Sequence, residues 1–210
     1  MKHAGIVLAA GASTRMKEPK ALLLTPAGVP LARHQAELLG QAGCGKCVIV
    51  LGCDRDRIRP ALRGCDIVDH PDWERGRFSS VQAGLRAVRE FNGCLILPVD
   101  TVGVSSATLA ATLRWAEKKQ PAAVRPTYGG CAGKIAWISR RLADELLRMD
   151  SGNTRMDYIL KERAIQLPVD DAAILSNVNT PEEWAAAIRK PAPPGTGAPD
   201  ARPPTGGTRP

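Results

Sequence analysis

The chain has 210 residues, a formal net charge of +8, and a composition that is 44% apolar, 24% charged and 4% aromatic. This length and apolar share suffice for one domain with a complete core, and because no apolar run reaches about 18 residues, we expect no transmembrane helix. The net positive charge attracts polyanions and small phosphorylated molecules alike. The few aromatic residues argue against a platform for single-stranded nucleic acid, so we expect neither nucleic acid nor a membrane as a partner.

The first apolar segment, 6–10, is too short for the core of a signal peptide and predicts a buried strand. Six cysteines are scattered along the chain, most of them in or beside such apolar runs. Cys44 and Cys47 have the spacing of a metal or redox pair, but no second pair or histidine cluster completes a zinc site. Free thiols in a reducing cytosol are the simpler interpretation, so we expect a cytoplasmic protein.

Apolar segments of strand length alternate with segments of helix length. Strands are predicted at 6–10, 47–51, 65–68, 94–97, 122–125 and 134–138, and helices at 31–39, 54–62, 79–91, 105–118, 140–149, 154–162 and 181–189. This alternation predicts an α/β fold of three layers, Rossmann-like, with a mostly parallel sheet covered on both faces. The segment 191–210 consists mainly of Pro, Gly, Ala and Thr, which predicts a disordered tail after a domain at 1–190.

Ligands of open α/β sheets bind beyond the carboxyl ends of the strands. This rule selects three positions in the predicted sheet, after Ala10, after Val68 and after Leu97. The segments that follow these positions are therefore the candidates for groups that carry chemistry.

The segment that spans the end of the first strand, L-A-A-G-A-S-T-R-M-K-E-P-K at 8–20, combines small residues with two cations. Small side chains let successive backbone N–H groups approach an anion, which indicates backbone contacts at Ala10, Gly11 and Ala12. Arg15 offers a bidentate phosphate contact, and Lys20 offers a point charge. The spacing matches neither a dinucleotide fingerprint nor a P-loop, so phosphate binding and a plain turn with surface cations both remain open.

This segment resembles the signature of the molybdenum-cofactor nucleotidylyltransferases, approximately L-A-A-G-x-S-x-R-M-G-x-P-K. Lys17 stands where that family usually has Gly, a residue that adopts positive φ without strain. The family belongs to the nucleotidyltransferases with a glycosyltransferase-A-like fold. The resemblance implies that fold, a Mg²⁺-dependent transfer of a nucleotidyl group from an NTP, and nucleotide contacts at Leu8 and along the following loop, including Arg15 and Lys20.

A second resemblance lies at 70–80, where H-P-D-W-E-R-G-R-F-S-S is similar to the N-P-x-W-x-x-G-x-x-S-S segment of the same family. In relatives this segment lines the nucleotide pocket, which implies nucleotide contacts at His70, Ser79, Ser80 and the following Gly84. His70 replaces the usual Asn, and by itself a structural or surface histidine is the simpler interpretation. Ser79 and Ser80 open a predicted helix, so capping is their alternative role.

Asp100 follows the buried strand at 94–97 and is expected to face the ligand crevice. Mg²⁺ binds carboxylate oxygens together with substrate phosphates, so Asp100 is a candidate metal ligand, with capping of the next turn as the alternative. The segment N-V-N-T-P-E-E at 177–183 has the form of a capping box. It resembles the family's N-x-N-T-P-E-D segment, which implies Asn179 as a second metal ligand; a purely structural role for Asn179 is the alternative.

The reaction that this resemblance implies is the attack of an acceptor oxyanion on the α-phosphate of an NTP, with pyrophosphate leaving. We expect Arg15, Lys20 and Asp100 to be the catalytic residues. The L-A-A-G and P-K details resemble the cytidylyl branch and favour CTP, although N-V-N-T-P is closer to the guanylyl branch. The segment 129–134 replaces the family's G-H-P substrate segment without its His-Pro. The acceptor is therefore open between a molybdopterin and another small phosphorylated molecule or oxyanion.

Three other functions remain open. A non-catalytic nucleotide-binding regulator would keep the loop at 8–20 but release no pyrophosphate. A sugar-phosphate nucleotidylyltransferase would use the same chemistry on another acceptor. A nucleotide-sugar glycosyltransferase usually carries a D-x-D metal motif, of which only Asp100 is present. The sequence does not determine the oligomeric state.

Overall fold

The computed structural model describes residues 2–152 and 154–189, so the tail predicted at 191–210 and the domain end predicted at residue 190 lie outside the described residues. The strands in the described ranges are β1 (His3–Ala9), β2 (Cys44–Leu51), β3 (Asp66–Asp69), β4 (Gly93–Pro98), β5 (Ala123–Tyr128), β6 (Cys131–Ala132), β7 (Ala136–Ser139) and β8 (Ala164–Pro168). The helices are α1 (Leu31–Gln41), α2 (Arg55–Ile58), α3 (Arg77–Ala87), α4 (Ser106–Lys119), α5 (Arg140–Arg148), α6 (Met156–Arg163) and α7 (Pro181–Arg189).

The strands form one sheet in the order β3-β2-β1-β4-β7-β5-β6, with β8 beside β5. β1 pairs in parallel with β2 and β4, as do β2 with β3 and β5 with β8. β7 runs antiparallel to β4 and β5, and β6 runs antiparallel to β5. The predicted mostly parallel sheet is confirmed. Strands β2 and β3 lie on one side of β1, and β4 lies on its other side. The strand order therefore reverses between β1 and β4.

Helices cover both faces of the sheet, because successive side chains of each buried strand point to opposite faces. On one face Val7 belongs to a buried cluster with Leu39 of α1 and Leu109 of α4. On the other face Ile6 belongs to a cluster with Leu85 of α3 and with residues of α5 and α6. No helix within 2–152 or 154–189 is long and apolar enough to cross a membrane. The predicted three-layer architecture is therefore confirmed.

Three local features differ from the sequence prediction. The sequence predicts neither β6 nor β8; β6 has only two residues, and β8 is exposed or half-buried throughout, so no apolar run marks it. The helix predicted at 79–91 is shifted toward the N-terminus, because Gly76 precedes it with φ 97° and Val88 is already extended. The helix predicted at 54–62 becomes α2 followed by a 3₁₀ turn that contains Pro60, a residue without the N–H that a continuous α-helix needs.

Candidate nucleotide-binding site

A cavity of about 410 Å³ opens at the carboxyl ends of β1 and β4, where the strand order reverses. Open α/β sheets bind ligands at such a reversal, and the volume is that of a small-molecule site. The predicted site residues that line it are Leu8, Ala10, Gly11, Lys20, Ser80 and Asp100. The sheet topology thus brings together two of the three strand ends that the sequence selects.

The loop that follows β1 is held by its own hydrogen bonds and by one buried side chain. The Lys20 N–H donates to Ser13 Oγ at 3.1 Å, and Met16 is buried in the core. Ser13 and Lys17 adopt positive φ values of 53° and 61°. The value at Lys17 explains in physical terms why Gly suits this position, because Gly adopts such a conformation without steric cost.

The Lys20 side chain joins two of the other predicted site residues. Its Nζ donates to Asp100 Oδ2 at 3.0 Å and to Asn179 Oδ1 at 2.9 Å. The Lys20 and Asp100 side chains are only 13% and 21% exposed, so water screens their attraction less than at an open surface. The structure therefore brings together residues from three distant parts of the chain around one ammonium group.

Backbone and side-chain bonds fix the position of Asp100. The Val178 N–H donates to Asp100 O at 3.0 Å, which ties the segment before α7 to the end of β4. The buried Gln35 side chain of α1 donates from Nε2 to Thr101 O at 2.8 Å and to Val99 O at 3.3 Å, on both sides of Asp100. The role of Gln35 is not predictable from the sequence, because a glutamine in an amphipathic helix is most often on the polar face.

The predicted capping box fixes the position of Asn179. Glu183 N–H donates to Thr180 Oγ1 at 3.3 Å, and the Glu183 carboxylate accepts from the Asn179 N–H at 2.6 Å. The box is confirmed, with its return bond one residue earlier than in the usual pattern. The first turn of α7 therefore holds the backbone from which the Asn179 side chain reaches Lys20.

The oxygens around Lys20 Nζ fit a divalent cation. Asp100 Oδ2 and Asn179 Oδ1 both lie about 3 Å from that one nitrogen, so a cation in its place meets one carboxylate and one amide oxygen. Among the described residues, no three or more His, Cys, Asp or Glu side chains gather at a metal-binding distance. Mg²⁺ commonly takes one or two protein oxygens and completes its shell with water and substrate phosphates. The donor set suits an ion that arrives with a nucleoside triphosphate.

Arg15 and Ala12 are placed differently from the other predicted loop residues. Arg15 is exposed on the 3₁₀ turn Thr14–Met16, Ala12 is half-buried, and neither lines the cavity. The structure therefore does not bring Arg15 to the cluster around Lys20.

The segment at 70–84 divides between two hollows. Ser80 lines the cavity, but His70 and Ser79 line a smaller hollow of about 230 Å³, the His70 depression. The residues that line the His70 depression are His70, Asp72, Arg75, Ser79, Gln82, Arg86, Met149, Asp150 and Ser151. Gly84 lines neither hollow; a Cβ there would lie 2.7 Å from Ile6 Cγ2, so Gly84 allows α3 to pack closely on β1. The structure thus brings only Ser80 of this segment to Lys20.

Hydrogen bonds explain the positions of His70 and the two serines. Ser79 Oγ donates to Gly76 O at 2.7 Å and accepts from His70 Nε2 at 2.8 Å, and Ser80 Oγ contacts the same carbonyl at 3.5 Å. The alternative role of the serines, capping, is wrong, because both hydroxyls contact a carbonyl in the preceding turn rather than a free N–H. His70 is buried, and this burial lowers its pKa.

Arg77 is a cavity residue that sequence analysis misses. Its Nη2 donates to Lys134 O at 2.8 Å, and both residues line the cavity. Burial lowers the pKa of the guanidinium, although Asp157 and Asp100 act in the opposite direction. No signal marks Arg77 in the sequence, because it occupies an unspecified position of the N-P-x-W-x-x-G-x-x-S-S pattern.

Comparisons with known proteins identify relatives of this chain. A probable molybdenum cofactor guanylyltransferase from Opitutus terrae is 29% identical over 196 residues, which cover 89% of this chain and 95% of that protein. Nicotine blue oxidoreductase from Paenarthrobacter nicotinovorans is 36% identical over 111 residues. That match covers 52% of this chain and 54% of the oxidoreductase, so the chain spans about half the length of this curated relative.

Solved structures show the same fold. The crystal structure of Rv0371c from Mycobacterium tuberculosis superposes with a TM-score of 0.74 at 25% identity, and the match covers 90% of this chain and 98% of that one. The same protein has also been solved in complex with manganese. The family model of the MobA-like NTP transferase domain matches residues 5–167, which is most of the chain. The resemblance of the loop at 8–20 is therefore confirmed, and the chain belongs to the MobA-like NTP transferase family.

Proposed function

We propose that the protein is a metal-dependent nucleotidyltransferase that moves an NMP group from an NTP to a small anionic acceptor and releases pyrophosphate. The observation that carries the proposal is the contact of Lys20 Nζ with both Asp100 and Asn179 at the point where the strand order reverses. A fixed ammonium beside a carboxylate and an amide oxygen can serve both a phosphate and a divalent ion. The known family of the chain supports this use of the cavity.

The loop after β1 binds the nucleotide in this proposal. Leu8, Ala10 and Gly11 line the cavity and present backbone groups, and Gly11 has open space where a Cβ would stand. Ser80 also lines the cavity and adds a hydroxyl. Arg15 is exposed on the same loop, and in this proposal it contacts the part of the triphosphate that extends out of the cavity.

Asp100 and Asn179 would hold the metal ion, and Mg²⁺ is the ion that their hard oxygen donors favour. The manganese complex of Rv0371c supports a divalent ion in this fold. When bound, the ion would neutralise phosphate charge. The role of Lys20 in this proposal is to donate to a phosphate oxygen and stabilise charge at the α-phosphate.

The transfer requires no covalent intermediate on the protein. An oxygen of the ionised acceptor forms the new bond to the α-phosphorus, the bond to the bridging oxygen of the β-phosphate breaks, and pyrophosphate carries away the electron pair. Because the attacking oxygen is already ionised, no general base is needed. Positioning and charge neutralisation supply the rate enhancement.

CTP is the first nucleotide to test, because the L-A-A-G and P-K segments favour it. GTP is the second, because the Opitutus terrae relative is a probable guanylyltransferase. A molybdopterin or another phosphorylated small molecule is the proposed acceptor. We also propose a cytoplasmic location, which is supported by the free state of the six cysteines, all of which lie in the described ranges.

The test is a screen of the four common NTPs with Mg²⁺ or Mn²⁺ against phosphorylated acceptors, followed by pyrophosphate release. Wild-type protein should release pyrophosphate with one NTP in an acceptor-dependent manner. Asp100→Asn should raise the Mg²⁺ concentration for half-maximal rate by about tenfold or more, since a neutral amide attracts the ion less than a carboxylate. Nucleotide binding without any pyrophosphate release would indicate the regulator instead, and an unaltered Mg²⁺ titration of Asp100→Asn would contradict the metal assignment.

A further inference from the structure

Arg77 is a cation in the cavity wall. Among the described residues, only part of its guanidinium has a hydrogen-bond acceptor. It is the first residue of α3 and lines the cavity. Its Nη2 bonds a carbonyl, but its Nε is buried and meets no acceptor among the described residues. None of the salt bridges between described residues includes Arg77. Arg77 is thus a half-buried residue with a fully buried Nε, and its guanidinium borders the cavity without a carboxylate in direct contact.

Arg125, a neighbouring arginine, has both a carbonyl and a carboxylate partner for its guanidinium. Arg125 Nε donates to Gly133 O at 2.6 Å, and its Nη2 lies 3.3 Å from Asp157 Oδ1. Arg125 and Arg77 hold consecutive carbonyls, those of Gly133 and Lys134, but only Arg125 also has an acidic partner. An unpaired buried charge is costly to the fold, and an arriving anion offsets that cost.

Lys134 supplies a second cation on the same wall. Its side chain is exposed, and the residue lines the cavity beside Arg77. Lys20, by contrast, is already engaged by Asp100 and Asn179. The cavity is therefore lined by Lys20 of the loop after β1, which has acidic and amide partners, and by Arg77 with Lys134, which share one hydrogen bond.

We propose that Arg77 and Lys134 form the subsite for the anionic group of the acceptor, and that Arg77 determines the selectivity for an acceptor oxyanion. A guanidinium binds phosphate and carboxylate oxygens in a bidentate manner, so the group is a phosphate monoester or a carboxylate. The assignment rests on the proposed function, because it gives the nucleotide to the loop at 8–20 and gives Arg77 and Lys134 to the acceptor. Lys134 adds a mobile charge at the mouth of this subsite.

Calorimetry can test the subsite without knowledge of the natural acceptor. The protein is first saturated with Mg²⁺ and an α,β-methylene analogue of CTP or GTP, so that the nucleotide side is filled, and is then titrated with inorganic phosphate or, separately, with acetate. Arg77→Gln should weaken binding of the preferred anion by about tenfold or more, because a charge-assisted bidentate contact is lost. Arg77→Lys should restore part of the affinity. Arg86→Gln, an equal charge change on α3 at the His70 depression, should leave the affinity within about twofold of wild type.

The two anions distinguish the acceptor classes. Binding of phosphate alone identifies a phosphate monoester, and binding of acetate alone identifies a carboxylate. Failure of both anions to bind wild-type protein, or binding to Arg77→Gln at wild-type affinity, overturns the subsite. An unchanged melting temperature and analogue affinity show that Arg77→Gln is folded. If no analogue binds any variant, the proposed function fails, but titration of the free protein with phosphate and acetate still decides whether Arg77 binds an anion.

Discussion

The cavity and the His70 depression both border the first turn of α3, but they use their polar groups in opposite ways. In the His70 depression, the bonds stay within the protein. Ser79 links His70 to a backbone carbonyl, and Gln82 Nε2 donates to two carbonyls at the end of α5, at 2.8 and 2.9 Å. Arg75 has its own acidic partner, Asp150, at 3.4 Å.

In the cavity, by contrast, polar groups remain available to a ligand. Lys20 holds two oxygens that a metal ion can take over, and Arg77 Nε has no acceptor in the part of the chain that the structure describes. A hollow with polar walls is therefore not evidence of a binding site by itself. A buried polar group without a partner, such as Arg77 Nε, is the better indicator, because buried polar groups of a finished fold are normally bonded.

The largest expected effect separates the two hollows directly. Lys20→Ala should lower the rate of pyrophosphate release by about 10²-fold or more, because it removes a preorganised cation from the α-phosphate. Arg75→Ala is the matched control: its side chain is 52% exposed in an ion pair, and such pairs contribute little. Its rate should stay within about threefold of wild type. A loss below threefold for Lys20→Ala would place Lys20 outside the chemistry.

Two buried glutamines sharpen the comparison, because each donates to two backbone carbonyls. Gln35 donates to the carbonyls on both sides of Asp100, and Gln82 donates to two carbonyls at the end of α5. Gln35→Leu and Gln82→Leu should each lower the free energy of unfolding by about 1–3 kcal/mol, since each leaves buried carbonyls unsatisfied. Urea unfolding measures this shared effect.

Only Gln35→Leu should also change the metal response. With Asp100 less firmly held, the Mg²⁺ concentration for half-maximal rate should rise by about tenfold, the lower end of the usual effect of residues that orient metal ligands. For Gln82→Leu the Mg²⁺ titration should match wild type. Equal shifts in both variants would mean that general destabilisation, rather than the position of Asp100, governs metal binding.

The sequence predicts most of the fold, because its central strands are continuous apolar runs between amphipathic helices. β1 and β4 are buried along their whole length and are easily identified. β8 is not, since its side chains are exposed or half-buried and its place in the sheet depends on pairing with β5. Pairing between distant segments leaves no local periodicity to recognise.

The candidate site shows the same division. Lys20 and Asn179 lie in segments where many residue types are specified together, and Asp100 follows a buried strand, so their common location is predictable. Arg77 and Gln35 donate to backbone carbonyls of distant residues. Every residue has a backbone carbonyl, so the sequence does not indicate which one is the acceptor. Residues of this kind become visible only in three dimensions.

The pH dependence of stability tests whether His70 is a structural residue. Because burial lowers its pKa, the unfolded chain takes up the proton first as the pH falls. The stabilising effect of neutral His70 is complete above about pH 6.5 and is lost as the pH falls toward the folded-state pKa, by at most about 1.4 kcal/mol per pH unit. Urea unfolding at several pH values should show a smaller loss for His70→Asn than for wild type. Identical losses would assign the titration to another group.

The smallest expected effect concerns backbone strain beside the cavity. Before α3 a glycine, Gly76, takes the positive φ of 97°, whereas in the loop after β1 Lys17 takes one of 61°. Lys17→Gly should raise the free energy of unfolding by about 0.5–1 kcal/mol, because a side chain in the left-handed region is strained. Gln120→Gly, at φ 47° after α4, should stabilise by a similar amount. Lys17→Ala removes the charge but keeps the strain, so a gain in that variant would show that charge, and not conformation, limits the stability of this loop.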